Sequence, residues 1–108
     1  MLKSQERLEE AIAAYRCAIK YQPDFTSAYL NLGGILQVRG AIQAAKICYQ
    51  KAVAQEPNNA IAHGNLGLLY QESGNLVAAR QAYEIALKLN SEDTTIFYRL
   101  IGLYTQLC

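Results

Sequence analysis

The chain has 108 residues, 52 % of them hydrophobic, and its ten lysines and arginines nearly balance nine acidic residues, for a formal net charge of +1. The apolar content excludes an intrinsically disordered chain, and the scattered, balanced charge excludes the basic patch of a nucleic-acid-binding protein. No apolar run approaches the roughly 20 residues that cross a bilayer, so we predict neither a nucleic-acid partner nor a membrane partner.

The predicted elements are six helices whose sequences repeat with a period of 34 residues. The first, third and fifth each carry an alanine, a tyrosine four positions later and an alanine three positions after that. This spacing places the three side chains on one helical stripe, where the alanines let a neighbouring helix approach and the tyrosine fills the space between them. In chain order we predict helices at residues 5–20, 26–39, 42–55, 60–73, 76–89 and 94–107.

Most of the predicted helices end at a residue that cannot continue them. Pro23 and Pro57 follow the first and third helices, and proline stops a helix. Gly40 and Gly74 follow the second and fourth helices at a cap position that favours glycine. After the fifth helix, Asn90 begins a run of turn and capping residues that takes the place of proline.

Small residues are predicted to let the helices pack closely. We expect Gly33 and Gly67 to make room for the paired helix, and Cys17 and Cys48 to pack as small helical residues. The three cysteines form no CxxC pair and no metal-ligand spacing, which is typical of a reducing compartment. The N-terminal sequence MLKSQERLEE is charged where a signal peptide is apolar. We therefore predict a cytoplasmic protein with no metal or other cofactor.

The period of 34 and its signature residues resemble the tetratricopeptide repeat over essentially the whole sequence. The resemblance implies an all-α fold, an α-solenoid of antiparallel helix-turn-helix repeats in a right-handed superhelix. His63 and Ile101 depart from the large apolar residue and the small residue of the family pattern. The implied single domain, 1–108, comprises the second helix of a truncated repeat (1–25), two complete repeats (26–59 and 60–93) and the first helix of a further repeat (94–108).

The predicted array is incomplete at both ends, since it opens with a second helix and closes with a first helix. Tyr98, Ile101 and Leu103 would then lie on a helix that lacks its follower. Terminal repeats normally carry a polar outer face. We therefore expect a piece of a longer array whose open ends associate between molecules.

One asparagine recurs in the same position of the second and fourth helices. In the implied fold these helices line a concave groove, and Leu32 and Leu66 face the paired helices. The preceding residues are rotated by about 100°, so Asn31, Asn65 and, in the third repeat, Arg99 should face the groove. An amide can bond both the C=O and the N–H of an extended peptide. The pair is similar to the asparagine ladder of O-linked N-acetylglucosamine transferases, whereas Arg99 departs from it and suits a carboxylate.

Further neutral polar residues fall on the predicted groove face. The alternative for each of them is ordinary surface polarity, and the asparagines are equally compatible with solvation or with capping inside the scaffold. The additional predicted peptide contacts are Ser27, Gln37, Gln71, Thr95 and Tyr98.

The sequence lacks the residues of an enzyme active site. It has no glycine-rich phosphate loop and no acid–base constellation, and its one histidine, His63, is predicted to be packed. A carboxylate clamp of the chaperone-binding type would need lysines where Leu30 and Thr95 stand. We predict a non-enzymatic scaffold that binds an extended segment of another protein in the groove. The alternatives are a substrate-docking arm of a larger, glycosyltransferase-like transferase and a self-assembling structural solenoid.

Overall fold

A computed structural model describes the backbone of residues 4–107 and the side chains of residues 6–107, and within that range all regular structure is helical. Each helix boundary agrees with the sequence-based prediction to within one residue. Residues 1–3 and 108 of the predicted domain lie outside the described range. The helices are α1 (Ser4–Tyr21), α2 (Thr26–Val38), α3 (Ile42–Gln55), α4 (Ala60–Glu72), α5 (Leu76–Leu89) and α6 (Thr94–Leu107).

The molecule divides into two compact units after Glu56. In the first unit α2 packs against both α1 and α3, and Arg39 at the end of α2 forms an ion pair with Glu9 of α1. In the second unit α5 packs against both α4 and α6. The predicted repeat starts, residues 26, 60 and 94, coincide with the first residues of α2, α4 and α6.

Two glycines end the first helices as the sequence predicted. Gly40 and Gly74 adopt φ angles of +89° and +87°, a conformation that residues with a β-carbon rarely adopt. After α2, the N–H of Ala41 donates to the carbonyl of Leu36 at 2.8 Å, which is the long bond of a Schellman cap. The backbone therefore reverses immediately after each of these helices and returns as the next one.

Side chains tie the loops that contain the two prolines to the helices. In the first unit, the amide nitrogen of Gln55 donates to the Pro23 carbonyl at 2.6 Å, and the Thr26 hydroxyl donates to the Gln55 amide oxygen at 3.0 Å. In the second unit, Nε2–H of the buried His63 donates to the Pro57 carbonyl at 2.8 Å. The packed histidine predicted from the sequence is thus confirmed.

The core of each helical hairpin is a tyrosine ring lying on a glycine. Tyr49 and Tyr83 are buried, and their rings lie against Gly33 and Gly67. A β-carbon added to Gly33 would lie 2.6 Å from Cε1 of Tyr49, and one added to Gly67 would lie 2.7 Å from Cδ1 of Tyr83. The predicted close contact at these glycines is confirmed.

The prediction that Leu103 lies on an uncovered helix face is wrong. Leu103 is 0 % exposed, and with Ile96 and Leu100 it forms a stripe at spacings of four and three residues. This stripe belongs to the same buried cluster as Ala79, Tyr83 and Ala86 of α5. Leu103 therefore faces α5, while Tyr98 and Ile101 of the same prediction are exposed.

The two described cysteines differ in their surroundings. Cys48 is buried as predicted, and burial raises the pKa of its thiol, partly opposed by the positive charges of Arg16 and Lys51. Cys17 is exposed, so the prediction that it packs is wrong. Lys51, one repeat period later, is exposed as well, which identifies this position as an outward-facing one.

Candidate functional site

The residue before each buried leucine of α2 and α4 lies outside the core. In the first unit Asn31 is exposed next to the buried Leu32, because successive helical residues are rotated by about 100°. Ser27, one turn earlier on α2, is also exposed. The first unit thus presents two of the predicted contact residues on one helical face.

In the second unit, three predicted contact residues line one cavity of about 260 Å³. Asn65 lies on α4, and Thr95 and Arg99 lie on α6. We call this space the Asn65–Arg99 cavity. Its remaining lining residues are Ala60, Ile61, Gly64, Leu68, Asp93 and Ile96.

A glycine and a helix cap set the shape of this cavity. A β-carbon on Gly64 would lie 2.9 Å from Cδ1 of Ile96, so the missing side chain lets Ile96 pack onto α4. Asp93 caps α6, since its Oδ1 accepts from the N–H groups of Thr95 at 3.1 Å and Ile96 at 3.3 Å. These contacts fix the start of α6, and therefore the positions of Thr95 and Arg99, relative to α4.

The guanidinium of Arg99 affects both the charge of the cavity lining and the pKa of a tyrosine in the hairpin core. Arg99 is half-buried and lines the cavity. Burial raises the pKa of the Tyr83 hydroxyl, and hydrogen bonding and positive charge from Arg99 oppose this rise, while the charge of Glu72 adds to it. Arg99 therefore supplies the positive charge in the cavity lining while its side chain lies beside a buried phenol.

Both predicted glutamines accept hydrogen bonds from the core tyrosines. The Tyr49 hydroxyl donates to Oε1 of Gln37 at 2.9 Å, and the Tyr83 hydroxyl donates to Oε1 of Gln71 at 2.8 Å. The amide nitrogen of Gln71 also donates to Oε1 of Gln106 at 2.8 Å. From the sequence, the tyrosines are assigned only a space-filling role, although a buried tyrosine hydroxyl normally has a hydrogen-bond partner. A glutamine twelve residues before each tyrosine was the available signal.

The other predicted contact, Tyr98, lies apart from the cavity lining. Its ring is exposed and packs edge-to-face on Phe97, with centroids 5.8 Å apart. The structure therefore brings together Asn65, Thr95 and Arg99 but not Tyr98. Gln37 and Gln71 lie on the tyrosine-facing sides of α2 and α4.

The described part of the protein has neither a membrane-spanning helix nor a metal-binding cluster. Among residues 4–107, none of the helices has both the length and the apolar character needed to cross a bilayer. Within the same range, no three histidine, cysteine or acidic side chains are grouped so that they could hold a metal ion. The cavity itself offers hydrogen bonds, a positive charge and apolar contact.

Models of one repeat family match three overlapping segments of the sequence. A model described as TPR repeat matches residues 1–37, and two described as tetratricopeptide repeat match residues 26–59 and 48–81. The chain belongs to the tetratricopeptide-repeat family. The matched segments include the glycines and the Tyr49 ring of the hairpin cores described above.

Solved tetratricopeptide-repeat structures share the all-α solenoid fold of this protein. The first TPR of Spaghetti (RPAP3) bound to HSP90 peptide SRMEEVD has a TM-score of 0.90 at 20 % identity, covering 95 % of this chain and 82 % of that one. MamA has a TM-score of 0.87 at 25 % identity, covering 96 % and 61 %. YrrB, a TPR protein with an unusual peptide-binding site, has a TM-score of 0.81 at 24 % identity, covering 87 % and 48 %.

One relative of this tetratricopeptide-repeat protein is far longer. Human protein O-mannosyl-transferase TMTC1 is 36 % identical over 45 residues, which is 42 % of this chain. The matched segment corresponds to 5 % of the length of that relative. The similarity therefore concerns a short stretch of repeat sequence.

Proposed function

We propose that this tetratricopeptide-repeat protein is an interaction scaffold whose second unit binds an extended peptide in the Asn65–Arg99 cavity. Two of the similar structures are described by their peptides or peptide-binding sites, the RPAP3 repeat with an HSP90 peptide and YrrB. The observation that carries the proposal is that Asn65, Thr95 and Arg99 line the same cavity.

Three polar groups of the cavity suit a peptide backbone next to an acidic group, while the fourth, Asp93, caps α6. The Asn65 amide has an acceptor and two donors, so it pairs with a backbone C=O and N–H whatever the peptide sequence. Thr95 adds a hydroxyl at the start of α6. Arg99 pairs with a carboxylate through two parallel N–H donors, and either an acidic side chain or a C-terminus supplies it.

The apolar part of the cavity selects a peptide side chain. Ile61, Leu68 and Ile96 line it, and Gly64 contributes no side chain of its own. An aliphatic residue placed there removes apolar surface from water, which stabilises the complex by roughly 25 cal/mol per Å². The preferred peptide therefore carries an aliphatic residue close to a carboxylate.

The remaining predicted contacts complete the proposal. Asn31 and Ser27 present an amide and a hydroxyl on α2, and we assign them to peptide contact in the first unit. Gln37 and Gln71 remain proposed contacts of secondary weight because both already accept from tyrosine hydroxyls, and Tyr98 remains one because it lies outside the cavity lining. With few contacts per unit, the affinity is expected to be modest.

An array of synthetic decapeptides tests this function. The peptides vary in one aliphatic and one acidic position, and each is made with a free and with an amidated C-terminus. Fluorescence polarisation should rank peptides with a carboxylate first. Asn65→Ala should weaken all of them by roughly 3- to 10-fold, the value of one or two neutral hydrogen bonds. Arg99→Ala should weaken only those with a carboxylate, by roughly 10- to 100-fold.

Matched control variants are available in the same protein. Asn58→Ala and Arg16→Ala remove the same functional groups from exposed positions outside the cavity and should leave the affinity unchanged. Backbone NMR shifts on adding the best peptide should cluster at the starts of α4 and α6. Equal binding by Asn65→Ala and wild type, or shifts confined to α5, would refute the proposal.

The similarity to human protein O-mannosyl-transferase TMTC1 favours a second candidate function. In that case the protein is the substrate-docking arm of a larger transferase, and the same cavity holds the acceptor polypeptide. Sequencing the gene on both sides of the coding segment tests this possibility. An adjoining transferase domain in the same reading frame is the expected result, and stop codons on both sides count against it.

A further inference from the structure

One side of α6 exposes an unusual amount of apolar surface. Phe97, Tyr98, Ile101 and Tyr104 are 48 %, 69 %, 46 % and 42 % exposed. Ile101 lies four residues after Phe97, three after Tyr98 and three before Tyr104, so the four side chains fall on one side of the helix. We call this surface, completed by the exposed Thr94 and Thr105, the α6 outer face.

The corresponding side of α2 is a helix-packing surface. The residues two repeat periods (68 positions) before Phe97, Ile101 and Tyr104 are Tyr29, Gly33 and Leu36, which are buried or half-buried. Helix α3 covers this side, with the Tyr49 ring lying on Gly33. The α6 outer face therefore corresponds to the side of α2 that packs against another helix, but on α6 this side is exposed.

A helix that carries the tyrosine of the repeat cannot pack on the α6 outer face in the way that α3 packs on α2. Ile101 occupies the position of Gly33 and Gly67, where even a β-carbon would lie within 2.7 Å of the tyrosine ring. A docking helix with a tyrosine at the repeat position, such as α1 with its Tyr15, would collide with Ile101. The occupant must therefore offer a different surface.

We infer that the α6 outer face binds α6 of a second copy of this protein, antiparallel about a two-fold axis at Ile101. A two-fold interface must be self-complementary, and this face is nearly palindromic. Phe97 lies four residues before Ile101 and Tyr104 three residues after it, so each ring meets the other ring of the second copy. The axial contact is then Ile101 against Ile101.

Charge and close approach favour the same arrangement. The six residues of the α6 outer face are uncharged, and the Glu84 carboxylate beside them accepts from the Tyr104 hydroxyl at 2.9 Å and pairs with Arg80, so an ion next to the contact keeps its partners. Gly102 adjoins Ile101, and a β-carbon placed on it would have no atom within 4 Å. This open space allows the two helices to approach closely at the centre of the contact.

The dimer is expected to be weak and independent of the Asn65–Arg99 cavity. Six side chains per copy form a smaller interface than the roughly 800 Å² per partner of a typical stable complex. Thr95, Ile96 and Arg99, the α6 residues of the cavity, are not part of the α6 outer face, and Tyr98, the proposed peptide contact that belongs to it, lies outside the cavity lining. Dimer formation therefore depends on protein concentration and leaves the cavity accessible.

Analytical ultracentrifugation tests the proposal from about 10 μM to about 1 mM, the range in which a small interface dissociates. The weight-average mass of the wild type should rise from that of the monomer toward twice that value and no further. Ile101→Glu places two carboxylates on the axis and should weaken association by at least about a hundredfold. Ile47→Glu, at a similarly exposed position on α3 (53 %), should associate like the wild type.

Pairwise cross-linking tests the orientation in a background with the native cysteines replaced by alanine. A mixture of Phe97→Cys and Tyr104→Cys should form disulfide-linked dimers several-fold faster than either variant alone. Circular dichroism confirms that each variant is folded. A monomeric mass at every concentration, a mass rising beyond the dimer, or faster linking of Phe97→Cys to itself would overturn the proposal. Peptide binding by Ile101→Glu should be unchanged, so the two proposals fail separately.

Discussion

Single glycines set the distance between the two helices of each hairpin. The Tyr49 ring occupies the space in which a side chain of Gly33 would lie, 2.6 Å from its β-carbon position. The neighbouring Gly34 differs, since its β-carbon would meet only the Tyr49 hydroxyl, at an ordinary 3.8 Å. Two adjacent glycines of one helix thus have opposite relations to the same ring.

This difference predicts opposite effects of alanine at the two positions. Gly33→Ala should lower the free energy of unfolding, because displacing the ring costs about 1–3 kcal/mol and exceeds the gain in helix propensity. Gly34→Ala should raise it by about 0.5–1 kcal/mol, the propensity gain alone. Urea unfolding followed by circular dichroism measures both values. Shifts of the same sign in the two variants would contradict the packing described here.

The sequence predicted the polar residues of the cavity but not the cavity itself. Asn65 and Arg99 follow from helical rotation, since each precedes a buried leucine. The shape depends on the contact of Ile96 with Gly64, which joins residues from different helices and has no local signature. The hydrogen bond from Tyr83 to Gln71 was not predicted from the sequence either, because the tyrosine was assigned only a space-filling role.

At the scale of helices, the two units differ in whether a side chain caps the N-terminus of each helix. In the second unit Asn59 and Asn75 accept from the N–H groups of Ala62 and Ala78, at 3.2 Å and 3.3 Å, and so cap α4 and α5. In the first unit Phe25 and Ala41 precede α2 and α3, and neither side chain accepts a hydrogen bond from the first N–H groups of its helix. Asn59 and Asn75 lie 34 residues after Phe25 and Ala41, so each helix without a side-chain cap has a capped counterpart in the second unit.

Ala41→Asn should add the missing cap to α3. Ala41 has φ and ψ of −82° and 71°, close to the −86° and 78° of the capping Asn75, so the backbone is already suitable. The free energy of unfolding should rise by about 0.5–2 kcal/mol, the usual value of an asparagine cap relative to alanine. Thermal or urea unfolding measures the change.

The control for this variant is the same substitution inside the helix. Ala54→Asn lies at an exposed position in the last turn of α3, where no cap is formed. It should lower stability by at most about 0.7 kcal/mol, the difference in helix propensity. Stabilisation by both substitutions, or by neither, would show that the cap at residue 41 is not the cause.

Helix boundaries were predictable because proline and glycine act locally, whereas burial of individual faces was not. Gly40 and Gly74 end their helices through backbone conformation, which depends on the residue itself. Leu103 and Cys17 were misplaced because their burial depends on which neighbouring helix covers them. Leu103 shares spacings of seven and three residues with Ile96 and Leu100, so the periodicity of α6 contained the correct answer.

At the scale of the whole molecule, the charge distribution limits how binding responds to salt. The net charge is +1, and the proposed peptide contacts are neutral except for Arg99. Salt screens exposed charges over about 10 Å at 0.1 M. Binding of a peptide through one ion pair and several neutral hydrogen bonds should therefore respond weakly to salt, unlike the steep dependence of nucleic-acid binding.

Fluorescence polarisation between about 50 mM and about 500 mM NaCl tests this expectation. The affinity for a carboxylate-containing peptide should fall by less than about threefold, because salt screens an ion pair of the half-buried Arg99 less than an exposed pair. The amidated peptide without an acidic residue should show no dependence, and Arg99→Ala should remove the dependence for the first peptide. A labelled 20-nucleotide single strand should not bind at any of these salt concentrations. A steep salt dependence that survives in Arg99→Ala would place the ligand on a charged surface outside the Asn65–Arg99 cavity.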